Sequence, residues 1–252
     1  MNSKKETNLN NKVKHKILHK NLNFAAAEAY KLLRTNLAFT LSDKSHGCRV
    51  IGVTSSIRSE GKSVTSVNLS YSLAESGKKV LLIDADMRLP TVGKKMDMAN
   101  SPGLSNILVA GDGETEIQVR SSKVSDKWFI LTSGDIPPNP NELLGSNRMK
   151  LLLGTVSERF DYIIVDLPPV NIVSDALAVS PYLDGMIVVM REGYTEKKTL
   201  HECLRQLKMV DAKILGFVMN DSHENSGKYG KHKKYASGKY GYGYGYDYSG
   251  KK

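Results

Sequence analysis

Short apolar runs alternate with amphipathic stretches along most of this 252-residue chain. The apolar runs are rich in Val, Ile and Leu, and they occupy residues 50–54, 80–84, 129–132, 162–166, 185–190 and 214–219. The stretches between most of these runs predict helices at residues 63–76, 140–159, 174–181 and 196–210. Near-continuous apolar strands that alternate with helices are typical of a parallel sheet covered on both faces. The pattern therefore predicts an α/β fold.

The regular pattern is confined to the middle of the chain. Two further helices are predicted, one over residues 24–38 and a short one over residues 103–109. Residues 1–22 contain mainly Lys, Asn and His, and residues 221–252 contain mainly Lys, Gly and Tyr, so neither segment can bury a core. We expect a disordered basic arm at 1–22, one globular domain at 23–220 and a flexible tail at 221–252.

The motif with the clearest chemistry lies between the first apolar run and the first long helix. It reads Ser56-Ile57-Arg58-Ser59-Glu60-Gly61-Lys62-Ser63. The spacing is that of a P-loop, although Ser56 stands where a glycine is usual. Such a loop surrounds a phosphate chain with backbone N–H groups, and the next helix directs the positive end of its dipole there. Because Lys62 can reach the β- and γ-phosphates and the Ser63 hydroxyl can bind Mg²⁺, the motif predicts nucleoside triphosphate binding.

Acidic side chains follow two other predicted strands. Asp84 and Asp86 come at the end of the second run, and Asp166 ends the fourth. The carboxyl ends of parallel strands meet at one edge of the sheet, where ligands bind. Mg²⁺ takes carboxylate and water ligands, and transfer to a hydroxyl benefits from a carboxylate that accepts its proton. We expect Asp166 to contact Mg²⁺ directly or through water, and Asp84 and Asp86 to divide the base and metal roles.

The formal net charge of +10 is concentrated at the ends of the chain. Residues 1–20 carry +5 and residues 221–252 carry +4, so the body of the protein is near neutral. Basic ends favour an anionic membrane face or an acidic partner, or serve only solubility. A near-neutral body argues against nucleic acid binding. No apolar run approaches the roughly 18 residues that span a bilayer, and the two distant cysteines are expected to be reduced thiols.

Taken together, these motifs resemble those of the bacterial tyrosine kinases of capsule and exopolysaccharide synthesis. The resemblance includes the P-loop and the segments 82–88, 138–144 and 164–168. Residues 28–37 resemble the family's N-terminal motif, which helps to build a ring of subunits. The tyrosine-rich tail is similar to the cluster that family members phosphorylate on each other. The resemblance covers the chain from about residue 24 to the C-terminus.

The resemblance implies an ATP- and Mg²⁺-dependent protein-tyrosine autokinase with a P-loop NTPase-like fold. Such an enzyme would transphosphorylate tail tyrosines of neighbouring subunits and so regulate polysaccharide synthesis. The implied partners are a membrane-anchored activator of the polysaccharide co-polymerase type, further copies of the chain in a ring, protein tyrosine substrates and a cognate tyrosine phosphatase. The family's transmembrane activator segment is absent from the sequence, so we expect a cytoplasmic protein held at the inner membrane face through its partner.

The motifs and the resemblance together assign roles to individual residues. Catalysis is assigned to Lys62, Asp84, Asp86 and Asp166. Nucleotide binding is assigned to Ser59, Glu60, Gly61, Lys62, Ser63, Val64 and Asn220, and metal binding to Ser63, Asp86 and Asp166. Subunit contacts are assigned to Glu28, Lys31 and Arg34, with Lys31 standing where the family usually has Arg. The expected phosphoacceptors are Tyr229, Tyr235, Tyr240, Tyr242, Tyr244, Tyr246 and Tyr248.

Two other functions fit parts of the pattern. A partition or division-site switch ATPase of the deviant Walker class shares the scaffold, but its P-loop carries a second lysine near the position of Ile57. Such a switch also has no need of a tyrosine-rich tail. A non-catalytic regulatory subunit that binds nucleotide and docks on a membrane protein would not need Lys62 and the three aspartates to be intact. Labelling of the protein with phosphate distinguishes the kinase from both alternatives.

Overall fold

The computed structural model describes residues 22, 24–41, 47–110, 117 and 119–222. The strands in these residues are β1 (Arg49–Ser55), β2 (Val80–Asp84), β3 (Arg120–Ser121), β4 (Trp128–Leu131), β5 (Tyr162–Asp166), β6 (Gly185–Arg191) and β7 (Ile214–Asn220). They form one sheet in the order β3-β4-β2-β5-β1-β6-β7. Neighbouring strands are parallel, except that the short β3 runs antiparallel to β4.

Helices connect most of these strands. They are α1 (Phe24–Thr40), α2 (Lys62–Glu75), α3 (Val92–Met96), α4 (Leu104–Val109), α5 (Pro140–Leu144), α6 (Asn147–Ser157), α7 (Asp175–Val179) and α8 (Lys197–Met209). A 3₁₀ turn, Ser180–Tyr182, follows α7 directly. Among the described residues, no helix has the length and apolar character needed to cross a membrane.

The predicted α/β fold is confirmed, and each of the predicted strands is present. The helix predicted over residues 140–159 is divided in two, because α5 ends at Gly145 and Ser146 starts α6 by accepting a hydrogen bond from the Met149 N–H at 3.3 Å. The helix predicted over residues 174–181 ends as the 3₁₀ turn. The sequence analysis missed β3 and α3, which are only two and five residues long.

The helices and strands all lie between residues 24 and 220, within the predicted globular domain of residues 23–220. The predicted basic arm at 1–22 and the predicted tail at 221–252 fall outside the described residues, apart from residues 22, 221 and 222. Their disorder and flexibility therefore stay predictions.

Alternate side chains of the central strands enter two hydrophobic clusters, one on each face of the sheet. Leu81 and Ile83 of β2 point into the cluster covered by α4 to α8. Val80 and Leu82, their neighbours in β2, point into the cluster covered by α1 and α2. All four side chains have no exposed surface. Burial on both faces explains why the strands are apolar at nearly every position and not at alternate positions.

The order of the strands brings the predicted site residues to one edge of the sheet. β5 lies between β2 and β1, and Asp84 is in register with Asp166 at the carboxyl ends of β2 and β5. Asp166 is also in register with Val53 of β1, two residues before that strand ends at Ser55 and the chain enters the P-loop. The phosphate loop and the carboxylates are therefore neighbours, as expected for parallel strands.

The thiol of Cys203 provides a test of the packing between α8 and the sheet. Cys203 has no exposed surface, and burial raises the pKa of its thiol to about 11. Because the thiolate is the reactive form, we expect alkylation of Cys203 at pH 8 to be about 100-fold slower in the folded protein than after unfolding in urea. Peptide mass spectrometry measures both rates, and Cys48, which is only partly buried, serves as the internal control. Equal rates in the two states would contradict the packing.

Candidate active site

The P-loop, residues 56–63, connects β1 to α2 in a shape that requires glycine. Ser59 and Gly61 have positive φ angles of 66° and 100°. A Cβ atom on Gly61 would lie 1.9 Å from Asn220 Nδ2, and such a contact is impossible without displacing the loop or the asparagine. Asn220 Nδ2 donates a hydrogen bond to the Glu60 carbonyl at 2.9 Å. The end of β7 therefore supports the P-loop through this hydrogen bond.

Lys62, the first residue of α2, contacts the carboxylates. Its ammonium donates to Asp86 Oδ2 at 2.7 Å and to the Ser63 hydroxyl at 3.2 Å, and Asp166 Oδ2 lies 4.0 Å away. The Lys62 and Asp86 side chains are only 12% and 8% exposed. Burial lowers the pKa of Lys62, but attraction to Asp166 and Asp86 outweighs burial and leaves this pKa above its usual value. Lys62 is therefore a charged ammonium before nucleotide binds.

Asp84 is fully buried, and backbone N–H groups bond to both of its oxygens. Oδ2 accepts from Val92 at 2.9 Å and from Thr91 at 3.2 Å, and Oδ1 accepts from Asp86 at 3.3 Å. Burial raises the pKa of Asp84 to about 7, and repulsion from Asp166 is the next cause. These bonds fix the turn between β2 and α3. The Asp84 side chain thus supports the segment that carries Asp86.

Asp166, the last residue of β5, is completely buried beneath the P-loop. Its Oδ1 accepts a hydrogen bond from the Ser66 hydroxyl at 3.0 Å. Its Oδ2 has no hydrogen bond of normal geometry within the described residues, although the Ser63 hydroxyl interacts with the same carboxylate. Burial raises the pKa of Asp166, and the Lys62 ammonium acts against this increase. A buried carboxylate oxygen with unused capacity beside Ser63 suits a cation or a cation-bound water.

A cleft of about 520 Å³ opens over these groups, a volume within the range of small-molecule sites. The P-loop forms one wall and the segment between Asp86 and Lys95 forms another. Residues 168–173, which follow β5, and residues at the ends of β6 and β7 complete the lining. The cleft therefore lies across the carboxyl ends of the parallel strands, as predicted.

The structure places most of the predicted residues at this cleft. The predicted nucleotide-binding residues that line it are Ser59, Gly61, Lys62, Ser63, Val64 and Asn220. Glu60 is the exception, because it has no exposed surface and is not part of the lining. Of the predicted carboxylates, Asp86 lines the cleft, whereas Asp84 and Asp166 lie beneath its surface.

Sequence analysis did not assign roles to several charged residues that line the cleft, among them Lys95, Arg191 and Asp221. Arg191 ends β6 and Asp221 follows β7, so the strand-end rule that selected Asp84 could have found them. Arg191 donates hydrogen bonds to Asp221 Oδ2 at 3.1 and 2.8 Å. Lys95 lies in α3, which no pattern predicted, and burial lowers the pKa of its ammonium.

The predicted metal ligands fit a magnesium ion that is bound together with phosphates. Among the described residues, no group of three His, Cys, Asp or Glu side chains could hold a metal ion by itself. Mg²⁺ usually takes one or two carboxylates and completes its shell with water and phosphate oxygens. Ser63, Asp86 and Asp166 supply a hydroxyl and two carboxylates beside Lys62, and Asp166 Oδ2 lacks a regular donor. Magnesium binding stays a prediction.

The predicted subunit-contact residues lie on α1 and have two different roles. Lys31 Nζ bonds to Glu28 Oε1 at 2.8 Å, and both side chains are exposed. Arg34 instead donates to the Ser72 carbonyl of α2 at 2.6 Å. Arg34, which is partly buried, therefore attaches α1 to α2 of its own subunit, whereas Glu28 and Lys31 are exposed. Subunit contact by these three residues stays a prediction. The predicted phosphoacceptor tyrosines, residues 229–248, lie outside the described residues.

The sheet, the phosphate loop and the buried carboxylates define a P-loop nucleotide-binding protein. A protein-family model described as an AAA domain matches residues 48–218. The tyrosine-protein kinase YwqD of Bacillus subtilis is 39% identical over 209 residues, which cover 81% of this chain and 86% of that protein. The chain therefore belongs to the bacterial tyrosine-protein kinases of capsule and exopolysaccharide synthesis, and it is an ATP-using P-loop kinase.

Solved structures agree with this assignment. The kinase domain of the Escherichia coli tyrosine kinase ETK aligns with a TM-score of 0.74 and 31% identity, over 87% of this chain and 80% of that one. The chimerical protein CapA2B2 aligns with a TM-score of 0.68 and 31% identity, over 76% of this chain and 83% of that one. The resemblance to the tyrosine kinases is confirmed, and the kinase is favoured over the switch ATPase.

The close approach of Gly61 to Asn220 predicts the effect of a single methyl group. We expect Gly61→Ala to weaken ATP binding by about tenfold or more, because the positive φ and the contact force the loop to move. Titration with a fluorescent ATP analogue measures the affinity, and thermal melting reports the fold. Gly154→Ala is the matched control, since a Cβ atom there meets nothing within 4 Å. Unchanged ATP affinity in Gly61→Ala would contradict the observed loop shape.

Proposed function

We propose that this kinase transfers the γ-phosphoryl group of Mg·ATP to tyrosines in the C-terminal segment of neighbouring copies. The observation that carries the proposal is the convergence of Lys62, Ser63, Asp86 and Asp166 at the N-terminus of α2, beside a cleft that suits a nucleotide. In phosphoryl transfer the protein mainly positions the reactants and stabilises charge, and these four groups are suited to both tasks.

Phosphate binding begins at the N-terminus of α2. The first N–H groups of the helix and its dipole attract the phosphate chain. Lys62, which bonds to Asp86 before nucleotide binds, turns to the β- and γ-phosphates when they arrive. Mg²⁺ held by Ser63, Asp86 and Asp166 would neutralise the charge that develops on the phosphate oxygens. Binding of Mg·ATP thus replaces one ion pair with a larger set of charge interactions.

Asp86 is the carboxylate best placed for the chemistry. It is the one predicted carboxylate that lines the cleft, and its Oδ1 accepts only the Leu89 N–H bond at 3.1 Å within the described residues. Its Oδ2 is released when Lys62 turns to the phosphates. Asp84 has both oxygens bonded to backbone N–H groups, which supports a positioning role instead. We therefore assign to Asp86 the role of accepting the phenol proton or binding the metal ion. Asp84 instead holds the loop that carries Asp86 in its shape.

The acceptor is a tyrosine whose ring needs an apolar surface close to Asp86. Leu89 and Ile172 line the mouth of the cleft and are 51% and 46% exposed. Arg88 also lines the cleft, and the fully buried Asp175 fixes it through bonds of 2.8 and 3.0 Å. In the sequence, Tyr and Gly alternate from residue 240 to residue 246, which favours access of each phenol to a neighbour's cleft.

Transfer between copies requires an oligomer, and α1 offers a surface for one. Phe24, Leu32 and Phe39 on this helix are 80%, 61% and 74% exposed, close to the Glu28–Lys31 pair. A relative solved as a chimerical protein supports a second protein that associates with this chain. We assign that role to a membrane-anchored activator of the polysaccharide co-polymerase type, which would hold the kinase at the inner membrane face. A cognate tyrosine phosphatase would reverse the modification, and further protein tyrosines would be substrates.

The direct test is a map of the phosphate. The protein is incubated with ATP, Mg²⁺ and the cytoplasmic segment of its activator, and peptides are analysed by mass spectrometry. We expect phosphotyrosine within residues 229–248. Lys62→Met should reduce labelling by about 100-fold or more, because the ammonium that stabilises the phosphate charge is lost.

Mixing two variants tests transfer between copies. A Lys62→Met chain should be labelled when it is mixed with an active chain truncated at residue 226, since the label must then come from the neighbour. Hydrolysis of ATP without protein labelling would select the switch ATPase. A Lys62→Met chain that stays unlabelled beside the active truncated chain would contradict transfer between copies.

The different surroundings of Asp84 and Asp86 predict that substitutions at these two residues have different effects. Asp86→Asn keeps an oxygen for the Leu89 N–H, so we expect a cooperative fold and labelling reduced by about 10²–10⁴-fold. Asp84→Ala leaves three N–H donors without their acceptor, so we expect the free energy of unfolding to fall by about 1–3 kcal/mol together with labelling. Urea unfolding and phosphotyrosine labelling measure the two effects, and the exposed Asp126→Ala is the control. Full labelling in Asp86→Asn would remove Asp86 from the chemistry.

A further inference from the structure

Glu60 is a buried acidic residue within a loop that binds anions. It has no exposed surface and does not line the cleft, although Ser59 and Gly61 on either side of it do. A buried carboxylate close to a phosphate site repels the ligand and is itself costly to remove from water. The hydrogen bonds that Glu60 makes within and around the loop compensate for this cost.

Three segments of the chain bond to Glu60. Its Oε2 accepts the N–H of Ile57 at 2.9 Å, which closes the P-loop on itself. Its Oε1 accepts a short hydrogen bond from the hydroxyl of Thr195, in the turn between β6 and α8. The Thr195 hydroxyl oxygen accepts the Arg191 N–H at 2.8 Å, so the hydroxyl is fixed from both sides. The Glu60 carbonyl accepts the bond from Asn220 at the end of β7.

These contacts give the P-loop a preformed shape. Hydrogen bonds to an ionised carboxylate are stronger than those between neutral groups, and a carboxylate accepts at both oxygens at once. The Ile57 N–H is used to shape the loop and does not serve the phosphate. The partner of the second oxygen, Thr195, belongs to the same turn as Arg191, which also lines the cleft. One carboxylate thus connects the phosphate loop to another wall of the site.

We propose that Glu60 is a positioning residue for the nucleotide and not a ligand of it. Through Thr195 it holds the P-loop in its phosphate-binding shape against the turn that follows β6. Without this contact the loop samples other shapes, and the nucleotide must then supply the ordering free energy. The loss appears as weaker nucleotide affinity and not as a slower transfer step once the site is saturated.

The hydroxyl of Thr195 allows a clean test in the full chain. Thr195→Val keeps the size of the side chain and removes the donor, whereas Thr195→Ser keeps the donor. We expect Thr195→Val to raise the Kd for a fluorescent ATP analogue with Mg²⁺ by about tenfold, and Thr195→Ser to stay within about twofold of the parent chain. In labelling assays the KM for ATP should rise by the same factor, with kcat at saturating ATP unchanged.

Two further variants separate positioning from general stability. Glu60→Gln keeps an oxygen for the Ile57 N–H and an NH₂ group that can donate to the Thr195 hydroxyl, but both bonds lose the charge of the carboxylate, so we expect a weaker affinity. Thr155→Val is the matched control, because its exposed hydroxyl donates to the Leu151 carbonyl within α6, at 3.0 Å, and lies outside the P-loop and the cleft lining. This control should leave the Kd unchanged.

Two results would overturn the proposal. One is a Thr195→Val chain that binds nucleotide like the parent, even if it melts at a lower temperature, since the contact would then be merely structural. The other is tighter binding by Glu60→Gln, which would mean that the charge of Glu60 acts mainly by repelling phosphate. Weaker binding by Thr195→Val and Glu60→Gln, with recovery in Thr195→Ser, supports it. The assay measures nucleotide binding, so its result is independent of which tyrosines accept phosphate.

Discussion

A buried excess of negative charge governs this site. Three carboxylates, Asp84, Asp86 and Asp166, share the space around one ammonium, that of Lys62. Burial, and after it repulsion between the carboxylates, raises the pKa of Asp84 to about 7 and also raises that of Asp166, although the Lys62 ammonium acts against both increases. The P-loop beside them offers the opposite, the positive end of the α2 dipole. The proposed magnesium nucleotide would satisfy both needs, since its metal would meet the carboxylates and its phosphates would meet the loop.

The topology of the sheet creates this arrangement. Parallel strands end at one edge, and the order β2-β5-β1-β6-β7 places segments far apart in sequence around the P-loop. Glu60 meets Thr195 and Asn220 only because β6 and β7 follow β1 in that order. The charged cluster lies on the β2 and β5 side of the loop, and the bonds that shape the loop lie on the β6 and β7 side. The β2 and β5 half of the sheet thus supplies the carboxylates, and the β6 and β7 half supplies the hydrogen bonds that shape the P-loop.

The strands and the P-loop were predictable because their signals are local. Strands buried on both faces are apolar at nearly every position, and the loop has a fixed spacing. The direction of each side chain was not predictable. Asp84 and Asp86 belong to one motif, yet one bonds to backbone beneath the surface and the other faces the cleft. Glu60 and Arg34 likewise turn inward, because their partners, Thr195 and Ser72, come from distant segments.

The Lys62–Asp86 ion pair links nucleotide binding to the chemistry of transfer. Lys62 Nζ donates to Asp86 Oδ2 at 2.7 Å, so the ammonium and the cleft-facing carboxylate are each other's partner. In the proposed reaction a triphosphate would compete for Lys62 with several anionic oxygens, and Asp86 would lose its cation as the γ-phosphate arrives. A phenol that reaches the cleft before ATP therefore finds a carboxylate already neutralised by lysine. On that proposal, this ion pair would link the availability of Asp86 to the binding of nucleotide.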